Sequence, residues 1–312
     1  RPARDQEQTA YTNLSCLGEF LLGYPNEYGL YTDRPLLDPL RDGAAMLPRA
    51  EDLPGKVDLG RNGSYLVMRQ LRQDVQGFWK FLDHQAGGDP ALRQRWAEAM
   101  VGRTLQGEPI VVARDETIAG DPPSDSNAFT YESDPQGIHC PLGAHIRRAN
   151  PRNADLPAGG PGILSKLKRI LGFDAEALAR DLVASTRFHR LLRRGRAYGP
   201  KVSLDQALGD TAADETGLYF ICLGANISRQ FEFAQSAWIA GTKFNGLGGE
   251  GDPLLGHREA GPDGTPTDVF SMPRPDGPDE RLCGLPRFVT VVGGAYFFLP
   301  GIRALRYLAG AH

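Results

Sequence analysis

Residues 139–152 read His139-Cys140-Pro141-Leu142-Gly143-Ala144-His145-Ile146-Arg147-Arg148-Ala149-Asn150-Pro151-Arg152. One histidine is followed closely by three arginines. A later stretch, Phe188-His189-Arg190-Leu191-Leu192-Arg193-Arg194-Gly195-Arg196-Ala197-Tyr198-Gly199, repeats the combination. A neutral imidazole can ligate a metal ion or a haem iron. A guanidinium carries permanent positive charge on a rigid fork of donors. A histidine on one face of a haem and a fixed cation on the other are the groups that peroxide cleavage needs. Breaking the O–O bond leaves negative charge on the departing oxygen, and a pre-placed cation stabilises it without first being protonated.

The residues alone leave alternatives open. His145 follows Pro-Leu-Gly-Ala, small residues that let a bulky planar group approach the backbone. It is flanked by Arg147 and Arg148, which could meet haem propionates. His189 is a rival ligand, four residues before Arg193 on a helix turn or strand, and spacing does not separate the two. A zinc site would draw on His139, Cys140 and His145, but no fourth ligand follows at finger-like spacing. The pair Arg193 and Arg194 is either a solvated face or a distal cation. No Gly-x-Ser-x-Gly, phosphate loop or dinucleotide fingerprint occurs.

The elements that position these residues mix strands and helices without βαβα regularity. A strand is expected at Ser64–Arg69, then a helix from about Gln70 to His84 with Val75, Phe78, Trp79 and Leu82 on one stripe. Pro90 opens a helix that Gly102 ends. Short helical patterns cover 164–171 and 174–185. A strand at Gly217–Leu223 leads into a helix from about Ile227 to Ala240 and a glycine-rich loop, Gly246–Gly251. Near the end, Arg287–Val292 and Ala295–Leu299 flank Gly293-Gly294, a tight-hairpin signal, and a helix closes the chain over 301–308. The sum is α+β with an antiparallel sheet and long loops. A boundary near residue 110 divides it into domains 1–110 and 111–312.

Composition sets limits. The chain has 312 residues and a formal charge of −3, yet thirteen Lys and Arg stand against four Asp and Glu between His145 and Lys201. A basic segment in an acidic protein suggests a local anionic partner. That segment is not interleaved with aromatic residues as a stacking platform for nucleic acid requires. Glycine (38) and proline (24) make up about a fifth of the chain, against ~12% in average usage. The four cysteines, Cys16, Cys140, Cys222 and Cys283, are far apart and read as reduced thiols. No run of about 18 apolar residues encodes a membrane-spanning helix. No signal peptide is visible, and the compartment, cytoplasmic or secreted, stays open.

Taken together, Cys140–Arg152, Leu191-Leu192-Arg193-Arg194-Gly195 and Gly217-Leu218-Tyr219-Phe220 resemble the dye-decolorizing haem peroxidase family, in its larger, advanced branch. Gln230–Phe233, Phe244-Asn245-Gly246 and Gly293–Phe298 add to the likeness. The resemblance implies ferredoxin-like antiparallel sheets with peripheral helices, in a dimeric α+β barrel-like arrangement. It implies haem b with His145 as iron ligand, Arg193 facing the peroxide, and Leu218 and Phe220 over the distal haem face. Substrates would be hydrogen peroxide and a bulky electron donor, oxidised through relays for which Trp238, Tyr219 and Tyr198 are candidates. Asp252 or Glu250 would partner the second nitrogen of His145. The family's Gly-x-x-Asp-Gly, whose Asp moves the peroxide proton, does not occur here; Leu40-Arg41-Asp42-Gly43 comes nearest. The chain therefore resembles the C-terminal two-thirds of the family, with a separate N-terminal chain expected to supply that aspartate. The alternative is a non-catalytic haem-binding module.

Overall fold

A computed structural model of the chain describes residues 16–26, 29–113, 127, 129–131, 133–152, 186, 189–212, 214–261 and 264–310. The helical patterns expected over 164–171 and 174–185 lie outside these residues.

In chain order the elements are helix α1 (Leu17–Leu22), short strands β1 (Leu36–Leu37) and β2 (Val57–Asp58), strand β3 (Ser64–Gln73), helices α2 (Val75–Gln85), α3 (Pro90–Val101), α4 (Ile110–Ala113) and α5 (His145–Ala149), strand β4 (Leu192–Tyr198), helix α6 (Leu204–Leu208), strand β5 (Thr216–Gly224), two π-helical segments (Ile227–Glu232 and Ala234–Ala240), strands β6 (Val269–Met272), β7 (Glu280–Cys283) and β8 (Val289–Leu299), and helix α7 (Ile302–Leu308). The main sheet is four-stranded, in the order β4-β5-β3-β8, and every pairing is antiparallel. With α2 after β3 and the π-helical pair after β5, this is the ferredoxin-like α+β pattern. It forms one open sheet with edges at β4 and β8. Because β3 pairs with both β5 and β8, the sheet runs across the boundary expected near residue 110.

Local sequence explains most of these limits. Asp74 caps α2, its carboxylate accepting from Gly77 N at 2.7 Å, so the strand continues through Gln73 and the helix starts five residues later than periodicity indicates. Asp89 and Pro90 open α3, and Gly102, at φ 89°, ends it. The hairpin expected at Gly293-Gly294 does not form. Both glycines lie within β8, and ten of that strand's eleven residues pair with β3, Val292 bulging out opposite Gln70/Leu71. Glycine here serves close approach rather than a turn: a Cβ on Gly294 would sit 2.6 Å from the carbonyl oxygen of Met68. The helix expected from Ile227 to Ala240 is two π-helical segments, a winding that recurs at functional sites.

The two faces of the sheet differ. Strand alternation puts Val67, Arg69, Leu71, Leu218, Phe220, Cys222, Arg193 and Val291 on one face. There Val67, Cys222 and Phe231 form a buried cluster with Leu191 and Phe220 against it. A larger core of Leu82, Trp96, Met100, Phe270, Leu282 and Phe288 joins α2 and α3 to the β6–β7 ribbon. The opposite face carries a row in register across all four strands, Leu192, Leu223, Leu66 and Phe297. On it Leu192 (36%), Phe297 (47%) and Leu299 (40%) remain exposed.

Candidate active-site cavity

A cavity of about 440 Å³ lies between the first sheet face and the segments that carry His145 and the π-helices, within the ~300–1,000 Å³ usual for ligand pockets. Leu71, Leu218, Phe220, Val289 and Val291 form its sheet wall, Arg193 stands at the β4 edge, and His145, Ala149, Phe231, Ala234 and Ile239 face them.

His145 begins α5, the single helical turn after the Pro-Leu-Gly-Ala run. Its Nδ1 lies 2.8 Å from Asp252 Oδ2. The Asp252 side chain is fully buried, whereas that of His145 keeps 23% of its surface accessible. The other Asp252 oxygen accepts from the amides of Leu254 and Leu255 at 2.9 and 2.8 Å. Burial alone would raise the Asp252 pKa. The charge and hydrogen bond of His145, with those two amides, more than offset it and hold the group below the ordinary carboxylate value. Asp252 is therefore an anion fixed on three donors. It selects the tautomer with the proton on Nδ1 and leaves Nε2 for a ligand. Glu250, the other candidate partner, turns away to the amide and hydroxyl of Ser271.

Arg193 and Cys222 are partners in the β4–β5 register. Burial, then the nearby charge of Arg103, draws the Arg193 guanidinium below its ordinary pKa. The residue nonetheless keeps an accessible surface, because the space beside it is the open cavity. Next to it, Leu218 leans over Gly195, whose added Cβ would come within 2.9 Å of Leu218 Cδ1.

Four sequence-predicted residues, His145, Arg193, Leu218 and Phe220, thus line one cavity. Arg147 and Arg148 do not line it; both are fully buried and hold protein groups instead. Arg147 donates to Asp134 Oδ2 at 3.2 Å and to the carbonyls of Cys140 and Asp134 at 2.7 and 2.8 Å. Arg148 donates to the carbonyls of Trp238 and Glu250 at 2.8 and 3.2 Å and to that of Gly241. Burial pulls its pKa down to about 10, against the opposing charges of Asp252 and Glu250. The expectation that these two meet propionates is corrected. Their guanidinium groups are taken up by Asp134 and by backbone carbonyls, in the packing that anchors α5.

His189, the rival ligand, stacks on Phe233 with ring centroids 3.6 Å apart, lies edge-on to Trp238 at 5.3 Å, and gives Nδ1–H to the carbonyl of Arg229. Burial lowers its pKa. Of the relay candidates, Trp238 is buried in that cluster, and Tyr198 and Tyr219 form a tilted pair 5.0 Å apart. Sequence reasoning missed Leu71, since the strand was expected to end at Arg69, and missed Arg69 because nothing local marked that residue's face as a cavity wall. Period-2 alternation carried on to Gln73 would have put both on the Val67 face.

The chain thus presents an antiparallel ferredoxin-like sheet with a histidine–aspartate pair across a cavity from an arginine. No protein-family model matches the chain. It is 31% identical over 258 residues to the multifunctional dye peroxidase DyP2 of Amycolatopsis sp., covering 79% of this chain and 49% of that protein. It is 32% identical over 262 residues to the dye-decolorizing peroxidase AauDyP1 of Auricularia auricula-judae, covering 78% and 46%. Among solved structures, an ancestral D-type dye decolorizing peroxidase superposes with a TM-score of 0.58 at 28% identity, covering 93% of this chain and 62% of that one. The chain belongs to the dye-decolorizing peroxidase family. It spans about half the length of the curated relatives it matches.

Proposed function

We propose that the chain is the haem-binding part of a peroxidase that uses hydrogen peroxide to oxidise dyes, phenolics or similar bulky reductants. The observation that carries the reading is the Asp252–His145 pair at 2.8 Å, with His145 opening onto an apolar cavity and Arg193 on its opposite wall. The residues present fit haem b. The wall is largely apolar, Ala149 is small where it faces that wall, and the imidazole is fixed in the tautomer that frees Nε2. Bound haem would supply the redox chemistry, the reduction of peroxide at the expense of the reductant. His145 would hold the iron through Nε2, and Asp252, accepting the Nδ1 proton, makes that nitrogen more basic. Arg193 presents permanent charge to the sheet side, where it stabilises the oxygen departing from peroxide. Leu218 and Phe220 narrow the space in front of it, admitting peroxide and turning bulky reductants away. Electrons from such reductants would arrive through Trp238, Tyr198 or Tyr219.

Gly-x-x-Asp-Gly is absent from these 312 residues, so in this proposal the proton-moving aspartate lies outside them, on an N-terminal segment or chain. The apolar row Leu192, Leu223, Leu66 and Phe297, exposed at Leu192 and Phe297 and half-buried between them, supports such a partner, because an apolar surface patch of this kind marks an interaction surface. The missing aspartate equally favours a second reading, a haem-binding module without turnover. One experiment separates them: the visible absorption spectrum of the haem-loaded protein before and after one equivalent of peroxide, with the wild-type chain and His145→Ala. A strong absorption band that shifts on adding peroxide, and that His145→Ala abolishes, supports the enzyme. A band that does not respond supports the module. Stoichiometric haem and full activity in His145→Ala would remove the ligand assignment.

A further inference from the structure

The cavity has a second arginine on its sheet wall. Arg69 lies on β3, two strands in from Arg193, with Phe220 beside it on β5 and Gly294 on β8. An added Cβ on Gly294 would come within 3.1 Å of Arg69 Cδ, so the side chain leans across this glycine toward β8, away from Arg193. There its guanidinium carbon sits 5.1 Å above the Phe231 ring, and Nη2 donates a long bond of 3.5 Å to Tyr296 Oη. No Asp or Glu is among the described residues lining the cavity, and Arg69 forms no ion pair with a described residue. Since Tyr296 Oη accepts from Arg69, its own O–H is left to donate. The pair therefore offers the remaining guanidinium N–H groups and the phenolic O–H as donors. Val291 (51%), which lines the cavity, and Tyr296 (44%), beside Arg69 just outside that lining, are exposed, so this side of the cavity is reached from solvent.

A cation beside an apolar wall without a carboxylate carries a desolvation cost that an anionic ligand offsets. Guanidinium favours carboxylate and sulfonate because its parallel N–H groups match two oxygens at once. Strands about 4.8 Å apart place the backbones of β4 and β3 roughly 10 Å from each other. Apolar Leu218, Phe220 and Leu71 fill the wall between the two arginines.

We propose that Arg69 and Tyr296 form an oxyanion subsite of this cavity, separate from Arg193, for the carboxylate or sulfonate of a planar aromatic ligand whose body lies on the apolar wall. This deepens the reading of the cavity given above and rests on it being a ligand cavity. The oxyanion has two sources, a propionate of a tetrapyrrole seated there or the acid group of an aromatic reductant entering past β8.

The test begins without haem. The chain is titrated with 8-anilinonaphthalene-1-sulfonate and with neutral N-phenyl-1-naphthylamine, followed by fluorescence. Arg69→Gln is expected to weaken the sulfonate about tenfold, the size of one charge-assisted contact, and to leave the neutral probe within about twofold. Arg69→Lys should recover part of the loss, and Tyr296→Phe should show a smaller one. Arg196→Gln, on the opposite sheet face, should change neither. Equal losses for both probes, no loss for the sulfonate, or the same loss in Arg196→Gln would overturn the proposal. The source is then read from haem and its dimethyl ester. If Arg69→Gln weakens only the free acid, the ligand is a propionate. If haem binding is unchanged and KM rises for an anionic reductant but not a neutral one, it is the reductant. If neither moves, the subsite has no such ligand and the proposal falls. A wild-type chain that takes up no haem would sink the proposed function, while the probe titration would still decide the subsite.

Discussion

At the scale of single residues, His145 owes its chemistry to Asp252. The carboxylate is buried, anionic and held by two amides, so the imidazole cannot rotate without stranding a charge. Asp252→Asn keeps the size and removes the charge. Haem affinity should fall about 10–100-fold, as for other ligand-orienting partners, and the iron reduction potential should rise; a haem titration and potentiometry check this. Unchanged values for both would reduce Asp252 to a packing group. The cysteines divide just as sharply. Burial raises the Cys222 thiol to about 11, and Cys140 is also buried, whereas Cys16 and Cys283 are exposed. At pH 8 iodoacetamide should label Cys16 and Cys283 on the folded chain, and Cys140 and Cys222 only after unfolding, as read by peptide mass.

Among the elements, α5 is one turn long and could not persist alone. Its position depends on the arginines that follow His145. Asp134, buried, accepts from the amides of His139 and Cys140 at 3.2 and 2.9 Å and from Arg147. Asp134→Ala would strand a buried guanidinium, so stability should fall by ~3–5 kcal/mol in denaturant unfolding. Behind the same turn, Gly102 ends α3 at φ 89°, and an added Cβ would lie 2.4 Å from Ile146 Cγ1. Gly102→Ala should cost ~1–3 kcal/mol from backbone strain and overpacking together, and should weaken haem binding by moving α5. A loss of stability with unchanged haem affinity would separate the two effects. Capped elements were the legible ones: Asp89, Pro90 and Gly102 bracket α3, and the Phe78, Trp79 and Leu82 stripe marks α2. Gly293-Gly294 misleads because a Gly-Gly pair serves a turn and a close strand approach equally well. Only the neighbouring strand, with Met68 and Arg69 against Gly294, selects the second.

For the whole molecule, the open face of the sheet sets the behaviour of the chain by itself. Leu66→Gln with Phe297→Glu should reduce self-association, or capture of a partner chain, in sedimentation experiments and lower the melting temperature little, because Phe297 is largely exposed. The charged cluster around β1 and β2 gives the chain an acid limit. Asp52 is held below the ordinary carboxylate pKa by its hydrogen bond from Arg34, and Glu51 by those from Tyr31 and Arg61. Both pKa values are lower in the folded state, so the unfolded chain binds protons first as pH falls. The stabilisation is complete above the unfolded values, near pH ~4, and is lost as pH drops toward the folded ones. Asp52→Asn should flatten the fall in melting temperature between about pH 5 and 3; an unchanged slope would assign acid sensitivity elsewhere.

The sequence by itself determined the α+β class, the helices with caps, and which histidines and arginines were candidates for a site. Residue type and local spacing carry that much. Whether His145 or His189 faces a cavity was decided by tertiary structure, because each imidazole takes its role from a distant group: Asp252 for one, Phe233 and the carbonyl of Arg229 for the other. Long-range packing likewise turned Arg147 and Arg148 inward. It brought Arg69 into the cavity wall through a strand pairing that spans more than two hundred residues, and no local pattern records that register.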